Sequence, residues 1–252
     1  MFLALNPHTA HLSDASEELI NCYIVVRKQP ERLIRRLARL RVNRRTFIAI
    51  RRDEPRDALS KATRFLYLNR TAFNGLFRVN QHGAFNVPFG CKPGTTSCDP
   101  SAIRSFSRRL RTTRLLAADF RSSLRDVGPG DVVYADPPYT VMHNNNAFRR
   151  YNERLFSWSD QLALADALNR LAGLGARVVI TNACHPSVTA LYHRHLFVRA
   201  PVRRPSNVAA DPDYRCFAEE LLLMSRSVVD DEDYLHEVLF DLGFASRRAA
   251  LK

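Results

Sequence analysis

The sequence predicts an α/β fold with a mainly parallel sheet. Residues 132–135 and 178–182 are short runs dominated by apolar side chains, as in strands that are buried on both faces. Segments with apolar residues at three- and four-residue spacing, such as residues 159–174, alternate with these strands. Strands that alternate with helices in this way are typical of α/β domains with parallel strands.

Helices are predicted wherever this spacing or a basic helical pattern recurs. Five of them cover residues 15–27, 57–69, 101–111, 159–174 and 186–195, and a further one begins at Pro30. Ser159 and Asp160 are predicted to cap the helix over residues 159–174, and Gly175 is predicted to end it.

The remaining strands are predicted from shorter patterns. Residues 10–14 read as a strand that closes on Asp14, and residues 114–119 and 216–224 as two further strands. Residues 76–80 and 84–87 are predicted to be paired strands joined by a turn that contains Gly83. We therefore expect residues 1–23 and 113–224 to form one domain, residues 24–112 a helical and hairpin insert, and residues 225–252 a polar C-terminal tail.

The composition indicates a globular, strongly basic chain. Of the 252 residues, 46% are hydrophobic, which is enough for a core. The 38 Lys and Arg residues outnumber the 25 Asp and Glu residues, so the formal charge is +13. This surplus favours a polyanion such as nucleic acid as partner, although a basic surface without a partner stays open as an alternative.

The cysteines and the apolar runs argue against several other classes. Five cysteines are scattered as Cys22, Cys91, Cys98, Cys184 and Cys216, with no CxxC pair. This spacing suggests neither a zinc site nor a disulfide framework, and it is typical of free thiols in a reducing cytoplasm. No apolar stretch approaches the length of a membrane span. We expect a cytoplasmic monomer without a bound metal or a membrane partner.

The tetrapeptide Asp136-Pro137-Pro138-Tyr139 directly follows the apolar run at residues 132–135. Ligand sites of open α/β sheets lie at the carboxyl ends of the strands. The prolines stop the ladder there, so the Asp136 carboxylate and the Pro137 carbonyl become acceptors beside the flat ring of Tyr139. An exocyclic amino group on a planar base would suit this platform. The alternative is a strand that simply leads into a Pro-rich turn.

Four blocks of the chain, in order, resemble one family. They are residues 12–14 with 18–21, residues 65–71 with 73–80 and 83–90, residues 118–120, and residues 136–139. From Met1 to about Met224 the chain resembles the Dam-type (D12 class) N6-adenine DNA methyltransferases. The resemblance implies a Rossmann-like S-adenosylmethionine-dependent methyltransferase fold, with residues 24–112 as an inserted helical and β-hairpin lobe that recognises DNA.

The resemblance also implies roles for the catalytic segment. An adenine that is flipped out of the duplex would be bound by Asp136, Pro137, Pro138 and Tyr139. Asp136 and the Pro137 carbonyl would accept hydrogen bonds from its amino group. Tyr139 would stack on its ring.

S-adenosyl-L-methionine would be held by a second set of residues. Asp14 would hold the ribose hydroxyls, Asp119 and Phe120 would contact the adenine, and Asp136 would also contribute. From the residues alone, Asp14 could instead cap a helix, and Asp119 with Phe120 could form a strand-end turn with a core aromatic ring.

The implied DNA-binding residues lie in the insert. They are Arg70, Phe73, Asn74, Leu76, Arg78, Asn86 and Pro88. Arg78 is the candidate for guanine recognition. The alternative is that Phe73 and Leu76 are core residues and Arg78 binds phosphate only. Lys92 stands where some relatives carry a tyrosine, so the target sequence is not predicted.

The resemblance implies double-stranded DNA as substrate and a restriction endonuclease as genetic partner. It begins at Met1 with the helix after the family's Gly-rich cofactor loop, and neither a Gly-Gly-Lys-like motif nor a Phe-x-Gly-x-Gly loop occurs in the 252 residues.

Three explanations are open for this difference: a start codon assigned too far downstream, a decayed gene, or a segment supplied by another chain. A central first strand would then be missing, and we expect weak binding of S-adenosylmethionine or none. The alternative function is a catalytically inactive, truncated DNA-binding remnant of such an enzyme. Methylation of RNA or protein is disfavoured by the insert.

Overall fold

The computed structural model of the chain describes residues 2–80, 83–91, 94–140, 156–205 and 217–230. Lys92, Cys216 and the tail from residue 231 onward lie outside the described residues. The chain divides into two compact units. One contains Phe2 with residues 6–123, and the other contains residues 3–5 and the described residues from Leu124 onward. Helix α1 covers Phe2–Leu5.

The unit of residues 6–123 is mainly helical. Its helices are α2 (Glu17–Lys28), α3 (Pro30–Ala38), α4 (Arg44–Arg52), α5 (Ala58–Thr71), α6 (Pro100–Arg109) and α7 (Phe120–Ser123), with 3-10 turns at Phe73–Gly75 and Leu110–Thr112. Strands β1 (Ala10–Asp14) and β2 (Thr113–Ala117) pair in parallel, with Ala10 opposite Thr113 and Asp14 opposite Ala117. Both strands therefore end at the same edge of the sheet.

Side-chain caps and one hydrophobic core fix these helices. Asn43, Asp57 and Asp99 each accept a hydrogen bond from a backbone N–H in the first turn that follows them. The interior is filled by fully buried apolar and aromatic side chains, among them Leu33, Leu37, Phe47, Tyr67, Leu68 and Leu110. The Arg27 guanidinium donates to the Thr113 carbonyl at 2.8 Å, which ties α2 to β2.

The second unit is built on a four-stranded sheet. Its strands are β3 (Val132–Ala135), β4 (Arg177–Ala183), β5 (Phe197–Pro205) and β6 (Phe217–Ser225), in the order β3-β4-β6-β5. Its helices are α8 (Trp158–Gly173), α9 (Pro186–Thr189) and α10 (Arg226–Val229). Helix α8 packs on β4, whose residues from Val178 to Ala183 are all buried.

The sheet is less parallel than the sequence suggested. Strand pairs β1–β2 and β3–β4 are parallel, whereas β4–β6 and β5–β6 are antiparallel. Strand β5 was not predicted, because its prolines, Pro201 and Pro205, interrupt the usual strand pattern. Among the described strands β5 pairs with β6 alone, and proline is tolerated at such an edge.

Several element boundaries also differ from the predictions. Helix α4 was not predicted. The cap of α8 is Ser157 rather than Ser159, and Asp160 completes a capping box with it. The helix predicted over residues 186–195 ends at Thr189, since the buried Asn169 side chain bonds to the backbone of Leu191 and His193 and draws it into turns.

Two shorter segments differ in the same way. The paired strands predicted around Gly83 reduce to one antiparallel bridge between Val79 and Phe85, flanked by hydrogen bonds of Asn80 and Asn86. The predicted C-terminal tail begins with α10 instead.

Candidate active site

The Asp-Pro-Pro-Tyr segment lies at the carboxyl edge of the β3–β4 pair. Ala135, the last residue of β3, is in register with Ile180, so Asp136 continues beside Thr181 of β4. Asp136 and Pro138 are exposed, Pro137 is buried and Tyr139 is half-buried. The segment therefore presents a carboxylate and part of an aromatic ring at the edge where parallel sheets bind ligands.

A hydroxyl of the neighbouring strand holds the Asp136 carboxylate. Thr181 Oγ1 donates to Asp136 Oδ1 at 2.7 Å, and the Tyr134 hydroxyl lies 3.3 Å from the same Thr181 oxygen. Thr181 is only 2% exposed, so it reaches the carboxylate from inside the sheet. Sequence reasoning missed Thr181, although a polar residue in the strand beside Asp136 was a usable signal.

A buried polar network fixes the end of β4. Asn182 Nδ2 donates to Gln161 Oε1 at 3.1 Å, and Gln161 Nε2 donates to the Tyr192 hydroxyl at 3.4 Å. All three side chains are at most 1% exposed. Burial raises the pKa of Tyr192 to about 12, so the phenol stays protonated at neutral pH. The network ties β4 to α8 and to the turns after α9.

A cavity of about 690 Å³ opens beyond the end of β4. Its lining includes His185, Tyr192, His193, Arg194 and Arg199. The Arg199 guanidinium donates to the Tyr192 carbonyl at 2.5 Å. A lining of this charge suits an anionic group.

Asp14 and Asp119 lie together at the edge of the β1–β2 sheet, in the other unit. The Ala118 amide donates to the Asp14 carbonyl at 3.0 Å, so the two strand ends are hydrogen-bonded. Asp14 Oδ1 accepts from the Ser16 amide at 2.7 Å, and Ser16, not Asp14, caps α2. The capping alternative for Asp14 is therefore wrong, and its exposed carboxylate lies at the same sheet edge as Asp119.

The Asp119 carboxylate and the Phe120 ring share one neighbour, Arg121. The Arg121 guanidinium lies 3.1 Å from Asp119 Oδ2 and 4.4 Å from the centre of the Phe120 ring. Asp119 is exposed and Phe120 is half-buried. The edge thus presents two carboxylates and one ring face, groups that can accept hydroxyls and contact a planar base.

The predicted DNA-binding residues occupy the last turn of α5, the 3-10 turn after it and the strand-like segments beyond. The Phe73 amide donates to the Pro88 carbonyl at 2.9 Å, and Asn74 has a left-handed backbone with φ of 52°. Arg70 Nε donates to the Thr96 carbonyl at 2.6 Å. The structure therefore joins Phe73 and Pro88 in one hydrogen-bonded substructure and ties Arg70 to residue 96.

Arg78 and Asn86 form a second predicted pair. Arg78 Nε donates to Asn86 Oδ1 at 2.8 Å, and the Asn86 amide donates to the Arg78 carbonyl at 3.0 Å. Phe73 and Leu76 are half-buried and pack against the hydrophobic core of the unit. This packing fits the alternative in which the two residues belong to the core and do not contact DNA.

Two absences hold for the described part of the chain. No group of three His, Cys, Asp or Glu side chains is arranged to hold a metal ion there. No helix among those residues is long and apolar enough to cross a membrane.

The chain matches one protein family over most of its length. The model of the D12 class N6 adenine-specific DNA methyltransferases matches residues 1–205. Similar proteins include the Type II methyltransferase M1.LlaDCHI of Lactococcus lactis subsp. cremoris, 34% identical over 76% of this chain and 71% of that protein. The DNA N-6-adenine-methyltransferase of Escherichia phage P1 is 32% identical over 84% of this chain and 29% of the phage protein.

An archaeal protein shows the same likeness. The Type II methyltransferase M.MjaIII of Methanocaldococcus jannaschii is 32% identical over 68% of this chain and 64% of its own length. With the family match over residues 1–205, these likenesses establish the class. The chain belongs to the D12 class of N6 adenine-specific DNA methyltransferases, which confirms the family inferred from the four sequence blocks.

Proposed function

We propose that this chain transfers a methyl group from S-adenosyl-L-methionine to N6 of an adenine that is flipped out of duplex DNA. The observation that carries the proposal is the Asp-Pro-Pro-Tyr segment at the carboxyl edge of β3, with the Asp136 carboxylate held by Thr181, in a chain of this family. The target nitrogen is inaccessible inside a stacked duplex, so the base must leave the stack.

Asp136 and Pro137 would prepare the amino group. The lone pair of an adenine amino group is delocalised into the ring, so the nitrogen is a weak nucleophile. When the Asp136 carboxylate and the Pro137 carbonyl accept hydrogen bonds from its two N–H groups, electron density stays on the nitrogen and the direction of its lone pair is fixed. S-adenosylmethionine would supply an electrophilic methyl group and leave as S-adenosylhomocysteine, and the methylated nitrogen would lose one proton to water. Tyr139 would stack on the base and hold it in line, so catalysis is mostly positioning.

Asp14, Asp119 and Phe120 fit the nucleoside part of the methyl donor. The two exposed carboxylates lie at one sheet edge, and the half-buried Phe120 ring follows directly. Among the described residues, Asp14 accepts a hydrogen bond from the Ser16 amide at Oδ1. Its Oδ2 can therefore accept a hydrogen bond from a ribose hydroxyl. We assign Asp14 to the ribose, Asp119 and Phe120 to the adenine, and Asp136 also to the donor side, within a Rossmann-like catalytic domain of residues 1–23 and 113–224.

We assign DNA recognition to residues 24–112. This segment contains 21 Lys and Arg residues against 5 Asp and Glu residues, a formal charge of 21 − 5 = +16. The basic surplus of the chain is therefore concentrated in it, as expected for a surface that follows phosphates. Arg78, oriented by Asn86, is the candidate for guanine recognition, and Arg70, Phe73, Asn74, Leu76 and Pro88 complete the proposed contact set.

The proposal extends to the biological setting. The Lactococcus and Methanocaldococcus relatives are both named Type II methyltransferases. We infer a restriction endonuclease as genetic partner of this chain, which the modification would keep from cutting the host DNA.

The test is methyl transfer from labelled S-adenosylmethionine to genomic DNA from a host without adenine methylation. Double-stranded RNA is the control substrate, and the labelled product is identified by digestion to nucleosides. We expect label in N6-methyladenine of DNA alone. Label in cytosine or in RNA would contradict the proposed substrate, and salt-dependent DNA binding without any transfer would favour the inactive remnant.

A further inference from the structure

We infer that Thr181 is a positioning residue for methyl transfer, which fixes the Asp136 carboxylate so that Oδ2 faces the incoming amino group. The inference rests on the proposed function of Asp136. It comes from the hydroxyl chain that runs from Tyr134 through Thr181 to Asp136.

The number of hydroxyl hydrogens decides which of these groups donates and which accepts. A threonine hydroxyl has one hydrogen and can accept two hydrogen bonds. The Thr181 hydroxyl donates its one hydrogen to Asp136 Oδ1 at 2.7 Å, so it can take part in the longer 3.3 Å contact with the Tyr134 phenol only as an acceptor. A hydroxyl that itself accepts a hydrogen bond is polarised and becomes a better donor.

The fold alone does not require a hydroxyl at position 181. Thr181 is in register with Leu222 of β6, and the residues before it in β4 are Val178, Val179 and Ile180, all fully buried. Valine has nearly the shape of threonine and suits a buried strand equally well. In a helix a threonine can return its hydrogen to the carbonyl four residues earlier, but in a strand it must find another acceptor. Here that acceptor is the Asp136 carboxylate.

The two oxygens of the Asp136 carboxylate therefore have different roles: Oδ1 is bound by Thr181, and Oδ2 is left for the amino group. Oδ1 accepts from Thr181, whereas the structure gives Oδ2 no hydrogen bond within the residues that it describes. Asp136 is exposed at the carboxyl end of β3, so a ligand can reach its side chain there. Without Thr181 the carboxylate could rotate about its side-chain bonds, and the acceptor for the amino group would lose its fixed direction.

The test compares three variants by steady-state kinetics and crystallography. Thr181→Val removes the hydroxyl and keeps the shape, whereas Thr181→Ser keeps the hydroxyl. Thr189→Val is the matched control, because the Thr189 hydroxyl donates only to the His185 carbonyl at 3.0 Å in the short helix α9. We expect Thr181→Val to lower kcat roughly 10- to 100-fold with little change in KM for DNA, as a misplaced catalytic group does. Thr181→Ser and Thr189→Val should retain most of kcat.

A structural readout separates this inference from the proposed function. In crystals of Thr181→Val the Asp136 carboxylate should leave its wild-type orientation, and in Thr181→Ser it should keep it. An unchanged carboxylate in Thr181→Val would overturn the inference whether or not the enzyme is active. An unchanged kcat in Thr181→Val would overturn it as well. If the wild-type chain transfers no methyl group to DNA, the proposed function fails, and the crystal structures alone decide the orientation.

Discussion

Gly90 lies so close to Phe73 that a Cβ on Gly90 would be 2.9 Å from both Cα and Cβ of Phe73. The contact belongs to a small antiparallel pairing in which the Gly90 amide donates to the Thr71 carbonyl and the Phe73 amide to the Pro88 carbonyl. The turn that carries the proposed DNA contacts Phe73 and Asn74 is therefore held by the segment that ends at Gly90.

Gly90→Ala tests the importance of this close approach. The added methyl group would push against main-chain and Cβ atoms that cannot rotate away, so we expect a loss of about 1–3 kcal/mol in the free energy of unfolding. DNA binding should weaken as the turn shifts. Gly173→Ala is the control, because that position is an exposed helical site with open space; there the substitution should stabilise by about 0.5–1 kcal/mol. Denaturant unfolding gives both values, and equal stability of Gly90→Ala and wild type would contradict the geometry.

Arg78 offers a test of base recognition against phosphate binding. Arg78→Lys keeps the charge but loses the planar fork that can bind the O6 and N7 edge of guanine. If Arg78 recognises guanine, the methylated motif should become degenerate at one position when the variant is expressed in a host without adenine methylation and its genome is sequenced for N6-methyladenine. A phosphate contact would instead weaken binding to all sequences alike.

Arg32→Lys is the matched control for this change. Arg32 is exposed in the same unit and donates to Gln29, the residue that precedes its helix α3. It should leave the motif unchanged. An unchanged motif in Arg78→Lys as well would remove Arg78 from base recognition.

The buried cysteines should be chemically inert. Burial raises the pKa of the Cys22 thiol to about 12, and burial also raises the pKa of Cys98. Because the thiolate is the reactive form, neither should be alkylated at pH 8 while the protein is folded. Cys91 and Cys184 are only half-buried and serve as internal controls. Peptide mass spectrometry after iodoacetamide treatment checks this, and rapid labelling of Cys22 in the native state would contradict the packing of α2.

The Glu31–Arg104 ion pair predicts a small acid dependence. Arg104 Nε and a terminal nitrogen reach the two Glu31 oxygens at 2.7 and 3.0 Å, and this hydrogen bonding lowers the pKa of Glu31. A lowered folded-state pKa contributes stability above the unfolded value, which is lost as pH falls through the folded value. Both side chains are about half exposed, so the contribution is modest. NMR titration of Arg104→Gln should return the Glu31 pKa toward its ordinary value; no change would show that the pair does not persist in solution.

The local parts of the fold were predictable because their signals are local. Strand β3 with its Asp-Pro-Pro-Tyr continuation, strand β1 ending at Asp14 and the helix that begins at Pro30 all follow from short patterns. Strand β5 was missed because edge position, which permits Pro201, is a property of the assembled sheet. Helix α9 was predicted too long because a distant side chain, Asn169, decides where it ends.

The same distinction applies to the candidate site. Asp136 and Tyr139 could be named from the sequence, because their chemistry lies in one tetrapeptide. Thr181 lies 45 residues away and meets Asp136 only through the register of β3 with β4, which no local pattern specifies. The joint position of Asp14 and Asp119 likewise depends on the parallel pairing of β1 with β2.

The most direct test of the account is methyl transfer by Asp136→Ala. Removing the carboxylate should lower the rate of N6-methyladenine formation by roughly 100-fold or more, as the loss of a preorganised catalytic group does, while binding to duplex DNA persists. Asp166→Ala, which removes an exposed carboxylate from α8, should behave as wild type. If Asp136→Ala methylates DNA as fast as Asp166→Ala does, the target adenine is not bound by the Asp-Pro-Pro-Tyr segment and the proposed active site is wrong.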